Sequence, residues 1–224
     1  MIDRLLASLL FLMIFAAAAP ALAQDKPVTF NIGVGPIFPQ GNVADRFDTG
    51  VTFPIGVTFN ITENVGIQGE YSYSWMGGPE GTITELDGDV VLLETNHTMH
   101  VGNANVVFTP STSGGVSGYA LAGIGVYHRS VELTTPAIGL VTVCDPYWFV
   151  CYPAAVPVDQ VIGSRSTTDF GINFGGAITF AQRFFVEVRY HYVWGPEIDI
   201  PAALGGGTVK ANGHYLPIIF GVRF

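Results

Sequence analysis

Charge is scarce in this 224-residue chain: Asp, Glu, Lys and Arg make up 12% of it, against 49% hydrophobic residues. That is about half the charged share of an ordinary soluble domain, so water cannot be the only medium that covers the surface. Basic residues are the scarcest. Nine Lys and Arg stand against 18 Asp and Glu, for a formal net charge of −9, which excludes nucleic acid as a partner because such binding rests on clustered Lys and Arg. The five histidines, His97, His100, His128, His191 and His214, show no ligand spacing. No EF-hand loop, Gly-rich phosphate loop or dinucleotide fingerprint occurs, so neither a metal nor a cofactor is expected. Beyond Gln24 no apolar run approaches the roughly 20 residues of a membrane-spanning helix, and helical periodicity is nearly absent.

The N-terminus does carry a signal. Met1 to Arg4 precede an apolar and small-residue run from Leu5 to Ala19, and Ala21-Leu22-Ala23 stands before Gln24. This is the layout of a secretory signal peptide with an A-x-A cleavage site. Residues 1–23 are expected to be removed and residues 24–224 to form one domain. In an exported chain the only two cysteines, Cys144 and Cys151, are expected to close a small disulfide loop.

The dominant signal in the rest is period-two alternation in segments of roughly ten residues, the signature of a transmembrane barrel. Strands are predicted near Val28 to Phe38, Val51 to Ile61, Val65 to Trp75, Thr98 to Thr109, Gly118 to Arg129, Asp169 to Phe180, Phe184 to Trp194 and His214 to Phe224. Links after the second, fourth and sixth are short and the others long, the asymmetry of periplasmic turns and extracellular loops. The fold class that follows is all-β: an antiparallel up-and-down barrel of about eight strands, with both ends on the periplasmic side.

One strand face is apolar and ends in aromatics such as Tyr73, Trp75, Tyr192 and Trp194, as an interfacial girdle does. The other carries Asn31, Gln68, Glu70, Asn103, Asn105, Asn173, Glu187, Arg189 and Arg223. A soluble barrel would turn its apolar face inward. This polar set is too small for a solvated surface but suits a packed lumen. Eight strands enclose only enough room for their own side chains, so Glu70, Glu187, Arg189 and Arg223 are expected to pair with one another and with the Asn and Gln side chains, since unpaired buried charge is costly. A gated narrow pore is the alternative.

The signal peptide, the eight alternating strands, the segment Val186 to Tyr192 reading VEVRYHY and the ending Phe220-Gly221-Val222-Arg223-Phe224 together resemble the OmpA/OmpX-like outer-membrane β-barrel domain family. The likeness spans nearly all of residues 24–224. It implies an outer-membrane location, contact with outer-membrane lipid and lipopolysaccharide, and a terminal Phe224 that serves as the signal to the barrel-assembly machinery. It specifies fold and place rather than activity.

Three further features bear on function. His128, Ser130 and Glu132 share a strand face, and a His and Ser two residues apart resemble the lipid A deacylases built on barrels of this size. Side chains two apart on a strand lie about 7 Å from each other, however, too far for a hydrogen bond without a bulge. They are read as non-catalytic. The stretch between Met76 and His97 holds Glu80, Glu85, Asp87, Asp89 and Glu94 with no Lys or Arg and reads as a solvated acidic loop. The longest loop, Ser130 to Thr167, carries Tyr147, Trp148 and Phe149 between the two cysteines. This aromatic tip is expected either to bind a surface ligand or to fold over the barrel mouth or into the outer leaflet. The function expected is that of a structural and surface-interaction barrel, with a narrow channel for small solutes as the alternative and a lipid A-modifying enzyme well behind.

Overall fold

The computed structural model describes residues 27–78, 81–84, 90–110, 116–144, 151–181, 183–200 and 207–224. The expected signal peptide and the aromatic tip Tyr147, Trp148 and Phe149 lie outside these residues. The alternating segments form strands β1 (Val28–Pro39), β2 (Gly50–Asn60), β3 (Val65–Gly77), β4 (Gly81–Thr84), β5 (Val90–Phe108), β6 (Val116–Cys144), β7 (Cys151–Phe180), β8 (Phe184–Val193), β9 (Glu197–Ile200), β10 (Gly207–Lys210) and β11 (Gly213–Arg223). Neighbours along the sheet run β3-β2-β1-β11-β8-β7-β6-β5, and β3 pairs with β5 to close the ring. All these pairings are antiparallel. Closure gives every barrel strand two partners, which is what hydrocarbon requires of a spanning sheet.

The ends of the barrel meet through backbone hydrogen bonds in both directions, Phe30 N to Phe224 O at 3.1 Å and Phe224 N to Phe30 O at 2.8 Å. At the first tight turn the Thr62 hydroxyl accepts from the backbone N–H of Asn64 at 3.3 Å and of Val65 at 3.0 Å, the local bond that lets Thr replace a backbone partner in a turn. Asn64 Nδ2 also donates to Thr109 O at 2.8 Å, tying this turn to the end of β5. At the turn between β7 and β8, Ala181 adopts φ 50.

Side chains on the apolar face point away from the ring. Phe30 is 55%, Ile124 62% and Phe170 68% exposed, whereas the polar residues opposite them are buried. This is the inverse of a soluble barrel and matches the apolar band of an outer-membrane one. Trp75 and Trp194 stand exposed where β3 and β8 end, at the end of the ring that carries the long connections.

The long connections differ from the expected loops. β6 and β7 run on past the barrel, paired residue by residue from Ser130↔Ser166 to Cys144↔Cys151, with one register shift between Leu133 and Thr134. The segments expected as the Ser130–Thr167 loop are therefore the arms of a hairpin that rises about 3.3 Å per residue. Val131, Leu133, Thr134, Thr135, Ile138, Val141, Thr142 and Val143 supply the β-branched and apolar residues that favour strands. β5 likewise begins at Val90, and its first residues pair with β4. β9 and β10 pair as a separate short hairpin.

Candidate functional site

The lumen is built by inward side chains from all eight barrel strands, and its centre is Arg189 of β8. Its guanidinium donates to both carboxylates that face it. Nη2 reaches Glu70 Oε2 of β3 at 2.9 Å while Nη1 bonds Glu70 Oε1, and Nε reaches Glu187 Oε1 at 2.9 Å with Nη2 at 2.5 Å. Arg189 and Glu187 are each 1% exposed. Tyr119 of β6 donates to the second Glu187 oxygen at 2.6 Å. Such a bidentate, doubly paired guanidinium is the geometry that makes burial of charge tolerable.

Amide side chains continue the lattice. Asn105 Nδ2 donates to Gln68 Oε1 at 2.9 Å, Asn173 Nδ2 to Asn105 Oδ1 at 3.0 Å, and Asn103 Nδ2 to Glu70 Oε1 at 3.4 Å. Gln68 Nε2 reaches Asn31 at 3.4 Å. All of these residues are buried. Gly123 and Gly125 of β6 sit opposite Asn105 and Asn103 in register and leave the space these amides occupy.

Arg223 departs from the expected pairing. Its guanidinium lies 4.4 Å from the centre of the Tyr119 ring, and its Nε and Nη2 are buried without a hydrogen-bond partner among the described residues. Two carboxylates converge on Arg189 from β3 and β8, whereas Arg223 lies against the face of the tyrosine that Glu187 holds by its hydroxyl. A ring face still attracts a cation through its quadrupole.

The lumen is also less uniformly polar than the alternation implied. Toward the mouth Ile37, Met76, Met99, Val101, Tyr127, Val193 and Tyr215 pack into a buried apolar layer. Toward the periplasmic end Val107, Tyr119, Leu121 and Ala177 form a second layer. The charged centre lies between them. In sequence these residues offered only one cue, apolar side chains at inward positions such as Met76 and Met99, where the polar face was expected. Between the apolar layer and Arg189, the Tyr127 hydroxyl lies 2.8 Å from His191 Nδ1.

Above the upper layer Arg129 of β6 bonds Asp169 of β7 through Nε at 3.0 Å and Nη2 at 2.5 Å, and Nη2 also reaches Ala211 O at 3.2 Å. Neither residue was singled out as a charge pair from sequence, since they lie 40 positions apart and Arg129 falls at the predicted strand end.

His128, Ser130 and Glu132 are placed on the outer face. Their cross-strand partners are Thr168, Ser166 and Ser164, and His128 Nδ1 lies 2.9 Å from Thr168 Oγ1, so the imidazole is engaged across the strand rather than along it. The register shift lies beyond the triplet. Other outward histidines pair similarly, His100 Nδ1 with the Tyr71 hydroxyl at 2.7 Å and His214 Nδ1 with that of Tyr190 at 2.6 Å. Of the acidic stretch, Glu94 is described, and its backbone carbonyl accepts from Thr134 Oγ1 at 3.4 Å. Glu80 and Glu85, Asp87 and Asp89 lie outside the described residues. Cys144 and Cys151 stand directly opposite each other in the backbone register.

The architecture agrees with known proteins. The profile of the outer membrane protein beta-barrel domain family matches residues 7–224. Among solved structures, a major outer membrane protein from Thermus thermophilus aligns with TM-score 0.50 at 10% identity, covering 89% of this chain and 99% of that one. Ail, the attachment invasion locus protein of Yersinia pestis, solved with the heparin analogue sucrose octasulfate, aligns with TM-score 0.45 at 15% identity, over 88% and 97%. The outer membrane enzyme PagL aligns with TM-score 0.36 at 14% identity, over 88% and 98%. No curated protein matches. At such identities the structural likeness is one of fold, and the Ail and PagL alignments carry no argument about activity. The profile match covers nearly the whole chain, and the closed ring with its outward apolar band is what that family builds: the chain belongs to the outer membrane protein beta-barrel domain family and resides in the outer membrane.

Proposed function

We propose that the protein is a structural and surface-interaction barrel whose lumen is filled and whose extracellular strands carry recognition. The observation that supports this is Arg189, held by Glu70 and Glu187 between two apolar layers. A solute or ion would have to break buried ion pairs and cross both layers, each step opposed by desolvation. Planar-bilayer recording of the purified protein tests it. Silent membranes are expected, and reproducible unitary currents that Arg189→Ala alters would establish the narrow channel instead.

The recognition element is the β6–β7 hairpin. Its paired arms flank the aromatic run Tyr147, Trp148 and Phe149, and the facing positions of Cys144 and Cys151 suit a disulfide that pins the tip. Partners are lipopolysaccharide and lipid around the barrel, and a surface ligand at the hairpin. Unchanged cell adhesion after Trp148→Ala, or after reduction, would remove the aromatic patch from this reading. The barrel is read as non-enzymatic, because His128 is bonded to Thr168 rather than to Ser130. Lipid A that keeps its acyl chains when the protein is expressed is the expected result.

A further inference from the structure

At its extracellular end the barrel opens into a cup of about 930 Å³, within the usual size of small-molecule sites. Four of the chain's nine Lys and Arg, namely Arg46, Arg129, Arg165 and Lys210, line it, and among the described residues one carboxylate, that of Asp45, stands against them. Arg129 is committed to Asp169. Lys210 lies 3.1 Å from Glu197 with both side chains largely in water, a pairing that holds it weakly. Arg46 and Arg165 are exposed and have no ion-pair partner among the described residues. A concave wall with low-dielectric sides focuses such surplus charge.

The lower part of the cup is aromatic and apolar. The Phe47 and His97 rings lie 4.7 Å apart, and His97 stacks on Tyr215 at 6.1 Å with an interplanar angle of 23°. Val131 and Leu133 also line the cup. Tyr215 and His97 are buried, and the apolar layer to which Tyr215 belongs forms the floor.

We propose that this cup binds a small amphipathic anion: an apolar body lying on the half-buried Phe47, Val131 and Leu133, with a carboxylate, sulfonate or phosphate group turned to Arg46 and Arg165. The inference rests on the filled-lumen reading only in making the cup blind. A net charge of −9 opposes large polyanions and favours a ligand small enough to sit inside the basic cup.

The test uses the full mature protein in phosphatidylcholine nanodiscs, with naphthalene-1-sulfonate as the probe and uncharged naphthalene-1-methanol as its control, titrated calorimetrically. Saturable sulfonate binding above that of empty nanodiscs is expected, at least tenfold weaker in Arg46→Gln/Arg165→Gln and weakened by added salt. The two arginines are exposed, so the variant should keep the gel mobility of the folded barrel. Absence of saturable binding overturns the proposal, as does equal binding of the uncharged analogue or of the double variant. Proteoliposome uptake separates the two readings: sulfonate that binds and also crosses supports the cup and overturns the filled lumen.

Discussion

Arg189 and Glu70 lie 119 positions apart and meet through two hydrogen bonds across the interior of the barrel, one of them 2.9 Å long. Arg189 also holds Glu187, two residues before it on β8. Replacing it by Met leaves two buried carboxylates facing each other. Loss of one partner from a buried pair costs about 3–5 kcal/mol, so Arg189→Met should unfold at markedly lower urea in lipid vesicles, followed by the folded and unfolded gel bands. Adding Glu70→Gln and Glu187→Gln should recover much of the loss. An R189M barrel as stable as the native one would show that these pairs contribute nothing.

The inward glycines of β6 are the second point of leverage. A Cβ at Gly123 would stand 2.1 Å from Asn105 Oδ1 and 2.3 Å from Ala104 O, while one at Gly69 would meet nothing within 4 Å. Gly123→Ala is expected to destabilise by about 1–3 kcal/mol, the usual range for overpacking, and Gly69→Ala to change little. Equal urea midpoints for the two variants would refute the packing argument.

Cys144 and Cys151 face each other at the far end of a hairpin that extends past the barrel. Peptide mapping without reductant should therefore recover them as one linked pair. Cys144→Ser/Cys151→Ser should make the hairpin more protease-sensitive while leaving barrel unfolding unchanged, because the bond closes a short loop remote from the barrel. A drop in barrel stability would mean that the hairpin and barrel fold as one unit.

Phe224 meets Phe30 through backbone bonds that any residue can make, and its ring is partly exposed. Phe224→Ala should shift the stability of refolded protein by no more than about 0.5 kcal/mol, as surface changes usually do. If the residue is an assembly signal, the folded fraction in cells should nevertheless fall severalfold. Equal folded fractions in cells would assign Phe224 no such role.

Strand positions inside the membrane were legible because lipid and lumen impose opposite polarity on successive residues. Val186 to Tyr192 can be sorted inward and outward by eye, and Glu187, Arg189 and His191 are indeed the buried set. The strand ends were harder. Val131 to Val143 continues with strand-forming residues after the membrane band ends, yet once outside the bilayer the polarity rule lapses, and nothing local distinguishes a long loop from a paired hairpin.

The eight-strand ring, its inside and outside, and its two turn classes are set by the order of residues alone, because the period-two pattern is a local property written along each strand. Which inward charges meet is not local. Arg189 holds Glu70 and Glu187 while Arg223 lies on Tyr119, and Arg129 finds Asp169 across neighbouring strands, because strand register and the tilt of the closed barrel decide which side chains share a level. The apolar layers around Met99 and Tyr119 and the basic cup between Arg46 and Arg165 arise the same way. They exist only once eight distant segments close on one another.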